Sequence, residues 1–176
     1  LYQGVHVAVV DPEDEYLRLA DAVGGTIVRL GAPHVKLNPL DLPAGDTRPD
    51  VLTRRALFLH TLISVLLAET PPPAERTALD RAILATYARA GITADPATHH
   101  RPAPLLHDLA ATLTADGDPA ATQLAARLAP WVAGSFSGLF DGPTTTRPDG
   151  HLVIWSLRQL PDELRTVGQL LALDAI

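Results

Sequence analysis

Four carboxylates stand together near the start of the chain. Asp11, Glu13, Asp14 and Glu15 follow directly on the apolar run Val5-His6-Val7-Ala8-Val9-Val10. Carboxylates at the carboxyl end of a parallel strand can hold a divalent metal, orient a water or accept a proton, and parallel-sheet proteins place their ligands at that end. The run matches the general form of a strand ending in a magnesium-holding Asp, but Pro12 separates Asp11 from Glu13, where the catalytic Glu of such a strand follows at once. Two readings of Asp11 therefore stand side by side. It closes the strand and caps the next helix, or it takes a functional role such as holding the metal. The acidic cluster as a whole is equally what a helix N-terminus attracts through its dipole.

Other chemistry is excluded by residue type or spacing. Seven histidines are present, but His99 and His100 are adjacent and diverge on any regular element. His6, His34, His60, His107 and His151 fall on separate elements with no pair at i, i+4, so no metal site is expected. Cysteine is absent, which removes disulfides, thiolate zinc sites and a Cys nucleophile. Gly134-Ser135-Phe136-Ser137-Gly138 places Phe136, not a serine, centrally between the glycines, and no strand precedes it, so it reads as a turn and not a nucleophile elbow. The single lysine, Lys36, does not follow a glycine, so the chain holds no phosphate-binding loop of the Gly-rich, Lys-Ser/Thr type. A dinucleotide-binding enzyme needs a Gly-rich turn after its first strand, and Asp11-Pro12-Glu13 is not one.

Charge narrows the partners. Fourteen Lys and Arg against twenty Asp and Glu give a formal net charge of −6, and the cations are scattered, so no direct nucleic-acid surface is evident. The longest apolar stretch, Leu57 to Ala68, is interrupted by His60, Thr61 and Ser64 and flanked by Arg54, Arg55 and Glu69; it reads as a buried helix, and no transmembrane segment is expected. Hydrophobic residues make up 47% of the chain but aromatics only 5%, which favours close-packed helices of Ala, Leu and Val. The chain lacks methionine even at position 1, and it is read as a piece of a longer protein.

The elements that must position these residues follow from periodicity. Val5 to Val10 predicts a buried parallel strand ending at Asp11-Pro12; Tyr16, Leu19, Ala20 and Val23 predict a helix face closed by Gly24-Gly25; Thr26 to Leu30 predicts a second strand. Together these form a right-handed βαβ crossover. Gly31 to Pro49 is a Pro- and Gly-rich loop with a tight turn at Asn38-Pro39-Leu40-Asp41. Four helices are then expected: Pro49 to Ala68, Ala74 to Ala90 with Leu79, Ile83, Leu84 and Tyr87 on one side, one through Leu105, Leu109 and Leu113, and one from Asp118-Pro119 through Leu128 to Val132. His151 to Leu157 is a strand and Pro161 to Ile176 a closing helix. The expected class is α/β with mainly helical content, divided at 1–48, 49–133 and 134–176.

Read in order, Asp11-Pro12-Glu13-Asp14-Glu15-Tyr16, Gly24-Gly25 and Asn38-Pro39-Leu40-Asp41, then Gly134-Ser135-Phe136, Leu139-Phe140-Asp141-Gly142-Pro143-Thr144 and Leu157-Arg158-Gln159-Leu160-Pro161-Asp162-Glu163-Leu164, resemble the conjugal-transfer ATPases of bacterial type IV secretion systems. The first group resembles the stretch that follows the family's Walker A helix, the second the segment before its Walker B strand. The resemblance implies part of a RecA-like parallel sheet, β-α-β … β-α, interrupted by an inserted helical bundle that carries protein contacts or buttresses the core. It implies that ATP and magnesium belong to a parent protein whose Walker motifs flank this stretch, and that the stretch alone is inactive and holds no cofactor. It further implies a homo-oligomer, ring or dimer, working with other secretion-system proteins at the cytoplasmic face of the inner membrane. Glu13 and Glu15 are then the candidate catalytic carboxylates, Asp11 is nucleotide-proximal, and Arg147 and Arg158 are candidates for an arginine facing a neighbouring subunit. The alternative reading is a stand-alone helical protein-interaction module with no nucleotide dependence.

Overall fold

The computed structural model describes residues 5–43, 45–46, 48–140, 142–146, 148 and 150–176. It divides into two compact units, one formed by the two ends of the chain (1–37 and 144–176) and one by 38–143.

The first unit is a three-stranded parallel sheet with two helices. Strand β1 spans Val7–Asp11, helix α1 Leu17–Val23 and strand β2 Thr26–Arg29. The order in the sheet is β1-β3-β2, so β3 (Leu152–Ser156), from the far end of the sequence, lies between the two strands that α1 joins. All five residues of β3 are buried, as expected for a central parallel strand written as an unbroken apolar run. β1 departs from the expectation of a buried strand: Val5 is 51% and Val7 39% exposed. Among the described residues β1 pairs only with β3, so only its carboxyl end is covered.

The face of α1 is also rotated from the expected one. Leu17, Ala20 and Val23 pack with Val9, Ile27, Leu152 and Ile154, while Tyr16 and Leu19 point to solvent. Asp14 takes a left-handed backbone (φ +63°), and the first helical residue is Leu17, so Tyr16 stands outside the helix. Gly24, with φ +68°, closes α1 as a left-handed C-cap.

Helix α6 (Asp162–Asp174) closes this unit, with Asp162 and Glu163 in its first turn, where the helix dipole favours negative charge. Gly168 lets it approach closely, since a Cβ there would collide with Leu160 and sit 3.3 Å from Leu157 Cδ2. Gly31 (φ +94°) allows the other close approach: a Cβ would lie 2.7 Å from the carbonyl oxygen of Gln159. The Lys36 amide donates to Thr145 Oγ1 (2.9 Å), and the Thr145 amide donates to the Lys36 carbonyl (3.1 Å).

The second unit is helical: α2 (Val51–Leu66), α3 (Pro73–Arg89), α4 (Leu106–Asp116) and α5 (Pro119–Val132), with short 3-10 turns at Pro96–Thr98 and Ser137–Leu139. Pro73 begins α3 at a position where its missing N–H costs nothing, and the Asp118 carboxylate caps α5 by accepting from the Ala120 amide (2.9 Å). The core is built from Leu59, Leu62, Ile63, Leu79, Ile83, Leu106, Leu109, Leu124 and Leu128, all fully buried. Leu84 does not join it; Ala82 and Ala78 take the buried positions beside Ile83 and Leu79.

The turn Asn38-Pro39-Leu40-Asp41 is a hub of this unit. Asn38 Nδ2 donates to Asp41 Oδ1 and to the Pro104 carbonyl (both 3.0 Å), Tyr87 Oη to the Leu40 carbonyl (2.6 Å), and Arg55 Nη1 to the Pro39 carbonyl (3.3 Å). These bonds satisfy backbone carbonyls that a buried loop would otherwise leave unpaired.

Ion pairs tie the helices together. Arg127 of α5 holds Glu75 of α3 (Nη1 to Oε2, 2.6 Å) and Glu69 of the α2–α3 connection. Arg81 of α3 spans Asp116 (3.2 Å) and Asp118 (2.9 Å) across the α4–α5 turn. That contact, with the Ala120 amide, holds the Asp118 carboxyl below the usual carboxylate range. Asp46 is held well below it by hydrogen bonds from the Arg48 side chain and amide, and from Arg54.

Among the described residues, no helix is long and apolar enough to cross a membrane.

Candidate functional site

The carboxyl ends of the parallel strands bring the predicted carboxylates together. Asp11 of β1, Ser156 of β3 and Arg29 of β2 lie level in the sheet register, and the loops beyond them carry Glu13, Glu15 and Arg158.

Asp11 itself points inward. It is 2% exposed; its Oδ1 accepts from the amides of Glu13 (3.3 Å) and Glu15 (3.1 Å), and its Oδ2 from that of Tyr16 (2.9 Å). Three backbone amides converging on one carboxylate organise the loop that leads into α1. Its backbone carbonyl also accepts from the Leu157 amide (3.0 Å), which continues the β1–β3 ladder by one bond.

Glu13 and Glu15 are thereby held at the outer edge of the loop, both exposed. The two differ in their surroundings. Glu13 Oε1 is 3.4 Å from Arg165 Nη1 of α6, and its carbonyl accepts from Arg158 Nη1 (3.2 Å). Glu15 has no ion pair among the described residues, and its carboxylate is open to an incoming group. Arg158 is therefore brought to Glu13, whereas Arg147 lies outside the described residues. Two members of the patch escaped sequence reasoning. Arg165 was signalled only by its i, i+3 spacing from Asp162, with which it also pairs (3.1 Å). Ser156, level with Asp11, is fully buried, and its Oγ has no hydrogen-bond partner among the described residues.

The patch does not by itself fit a nucleotide and its metal. Lys36 lies in an irregular segment, not at the start of a helix after glycines, so no described segment offers a ring of backbone amides with a lysine for phosphates. Among the described residues, no group of three or more His, Asp or Glu side chains has the arrangement to hold a metal ion. What the arrangement can do is present a carboxylate and a guanidinium, Glu13 or Glu15 with Arg158, to a group that lies beyond the strand ends.

The sequence matches no protein-family model and no curated protein. The fold has a solved counterpart. The structure of VirB4 of Thermoanaerobacter pseudethanolicus superposes with a TM-score of 0.81 and 23% identity, over 98% of this chain and 68% of that one. Over nearly its whole length, this chain has the fold of a part of VirB4.

Proposed function

We propose that this chain is part of a type IV secretion ATPase of the VirB4 kind, contributing the wall of a RecA-like motor and a helical insertion. The observation that carries the reading is the fold shared with VirB4 along 98% of the chain, taken with the family-like blocks that occur in the family's order. Phosphate and magnesium handling then belongs to sequence flanking this stretch, because the stretch supplies no Gly-rich loop with lysine. In the assembled motor, Glu13 or Glu15 orients the attacking water and Arg158 or Arg147 reaches the nucleotide of a neighbouring subunit in a ring or dimer, with the secretion apparatus at the cytoplasmic face of the inner membrane as partner. The ion pair of Glu13 with Arg165 favours Glu15 as the freer carboxylate, and the bond from Arg158 to the Glu13 carbonyl places this arginine beside the same loop.

The test uses a longer chain that includes both Walker motifs. Glu15→Gln lowers the ATPase rate by about 100-fold or more without changing the melting temperature; turnover within twofold of wild type in both Glu13→Gln and Glu15→Gln removes these carboxylates from the site. Mixed assemblies test the arginine. If Arg158→Ala subunits stimulate partners that lack a working site of their own as well as wild-type subunits do, Arg158 has no role in trans.

A further inference from the structure

The outer face of the α2–α3 pair carries a groove away from the strand-end carboxylates. His60 Nε2 and Asp80 Oδ1 meet at 2.7 Å and set the register of the two antiparallel helices. Along α2, Leu57, His60, Thr61 and Ser64 recur at helical spacing on one face; along α3, Arg76, Thr77 and Asp80 do the same, with Leu84 one turn beyond Asp80, just outside the groove lining. Between them lies a shallow groove of about 500 Å³.

Its chemistry is graded from end to end. The His60–Asp80 register places Leu57 and Leu84 at the same end, and they are 63% and 56% exposed, an apolar pair with nothing over it among the described residues. In the middle, Thr61, Ser64 and Thr77 donate their hydroxyls back to the carbonyls of Leu57, His60 and Pro73 (2.9–3.1 Å). The groove wall therefore offers methyl and methylene groups there in place of free donors. At the far end stands Arg76. Arg48, Arg54, Arg81 and Arg127 of the same unit each hold a carboxylate, but Arg76 pairs with none among the described residues. Asp80, the one carboxylate of the groove, is already engaged by His60.

We infer that the α2–α3 groove docks an amphipathic helix of a partner protein, one that covers Leu57 and Leu84 with apolar side chains and presents Glu or Asp to Arg76. Two antiparallel helices with an apolar end and a shallow channel accept a third helix by ridges into grooves, and the contact is read as apolar anchors at helical spacing. The spacing follows from α3. Arg76 and Leu84 are eight residues apart, about 12 Å along a helix, so the carboxylate lies about two turns from the apolar anchors, in either direction of the incoming helix. The chain as a whole is acidic, so only a local cation can reward that carboxylate, and Arg76 is the residue placed to do so. The inference is independent of the ATPase assignment.

The probe is a synthetic helical peptide of about 18 residues carrying a Leu pair and a Glu about two turns away, titrated by fluorescence anisotropy against the 176-residue chain. The peptide binds more tightly than its scrambled sequence. Arg76→Glu weakens binding about fivefold, and a peptide with Lys in place of Glu regains it; Leu57→Ser with Leu84→Ser weakens it by about tenfold or more. All three side chains are exposed, so the variants keep the melting temperature of the wild type. Binding no tighter than that of the scrambled peptide, or indifferent to both sets of substitutions, overturns the inference. So does a self-association of the chain that disappears in the Leu57→Ser, Leu84→Ser variant, because the groove then belongs to a second copy.

Discussion

Replacing Arg127 by Met exposes how the helical unit is held. Glu75 is only 3% exposed and its carboxylate meets Arg127 Nη1 at 2.6 Å, while the other guanidinium nitrogen of Arg127 reaches the exposed Glu69. Breaking a fully buried pair by removing one partner costs about 3–5 kcal/mol, because the remaining charge stays out of water. Two features reduce that here. Arg127 is about a quarter exposed, and Glu75 sits in the first turn of α3, where the helix dipole returns about 0.3–1 kcal/mol. The expected loss for Arg127→Met is therefore about 2–3 kcal/mol. For a chain of this size that lowers the melting temperature by roughly 4–12 °C.

The informative assay is a double-mutant cycle with Glu75→Gln, read by urea unfolding followed by circular dichroism. Glu75→Gln keeps the shape and removes the charge, so Arg127→Met should cost much less on that background than in the wild type. A coupling of at least about 1.5 kcal/mol is expected for groups in direct contact. If the two changes add to within about 0.5 kcal/mol, the Arg127–Glu75 contact is not what stabilises the packing of α5 on α3, and the reasoning from burial fails.

Gly31→Ala should destabilise the first unit by about 2–4 kcal/mol in urea unfolding, since the new methyl meets the Gln159 carbonyl and the backbone stays at φ +94°; Gly45→Ala, also at positive φ but with nothing within 4 Å of its Cβ, should cost less. Asp11→Ala removes the acceptor of three amides and should cost about 1–3 kcal/mol, with hydrogen exchange accelerated at Glu13, Glu15 and Tyr16 and unchanged in α3. Asp46 and Asp118 have lowered folded-state pKa values, so the unfolded chain binds protons first as the solution is acidified. Their contribution to stability is full above the ordinary carboxylate value of 3.8 and is lost as pH falls below it. The urea midpoint of Asp118→Asn should accordingly fall less steeply than that of the wild type between about pH 4 and pH 2.

Periodicity made most of the architecture legible. The Leu and Ile positions of α2 to α5 recur at helical spacing, and Pro73, Gly91, Gly117 and Asp118-Pro119 mark helix ends by their own backbone chemistry, so these elements could be read without knowing what they pack against. Faces were less legible. Leu84 stands beside the buried Ile83 and Leu19 beside the buried Ala20, and spacing alone cannot tell which of two adjacent apolar residues a partner will cover. The candidate site was legible in kind, as a knot of acids after a strand, but not in role: the same four residue types permit a capping Asp11 or a ligand-facing one.

Local rules act over a few residues, and within that range the sequence is decisive: it specifies where helices and strands lie, that no Gly-rich lysine loop is present, and that the surface is acidic. Placement across the chain obeys no such local rule. Nothing near Val7 announces that its neighbour in the sheet is Leu152, or that β3 will part β1 from β2. Nothing near Glu13 announces Arg165, about 150 residues away. Those pairings arise when the buried faces of distant segments close on one another. That closure buries Asp11 beside β3 and leaves Glu15 and Arg158 at the rim.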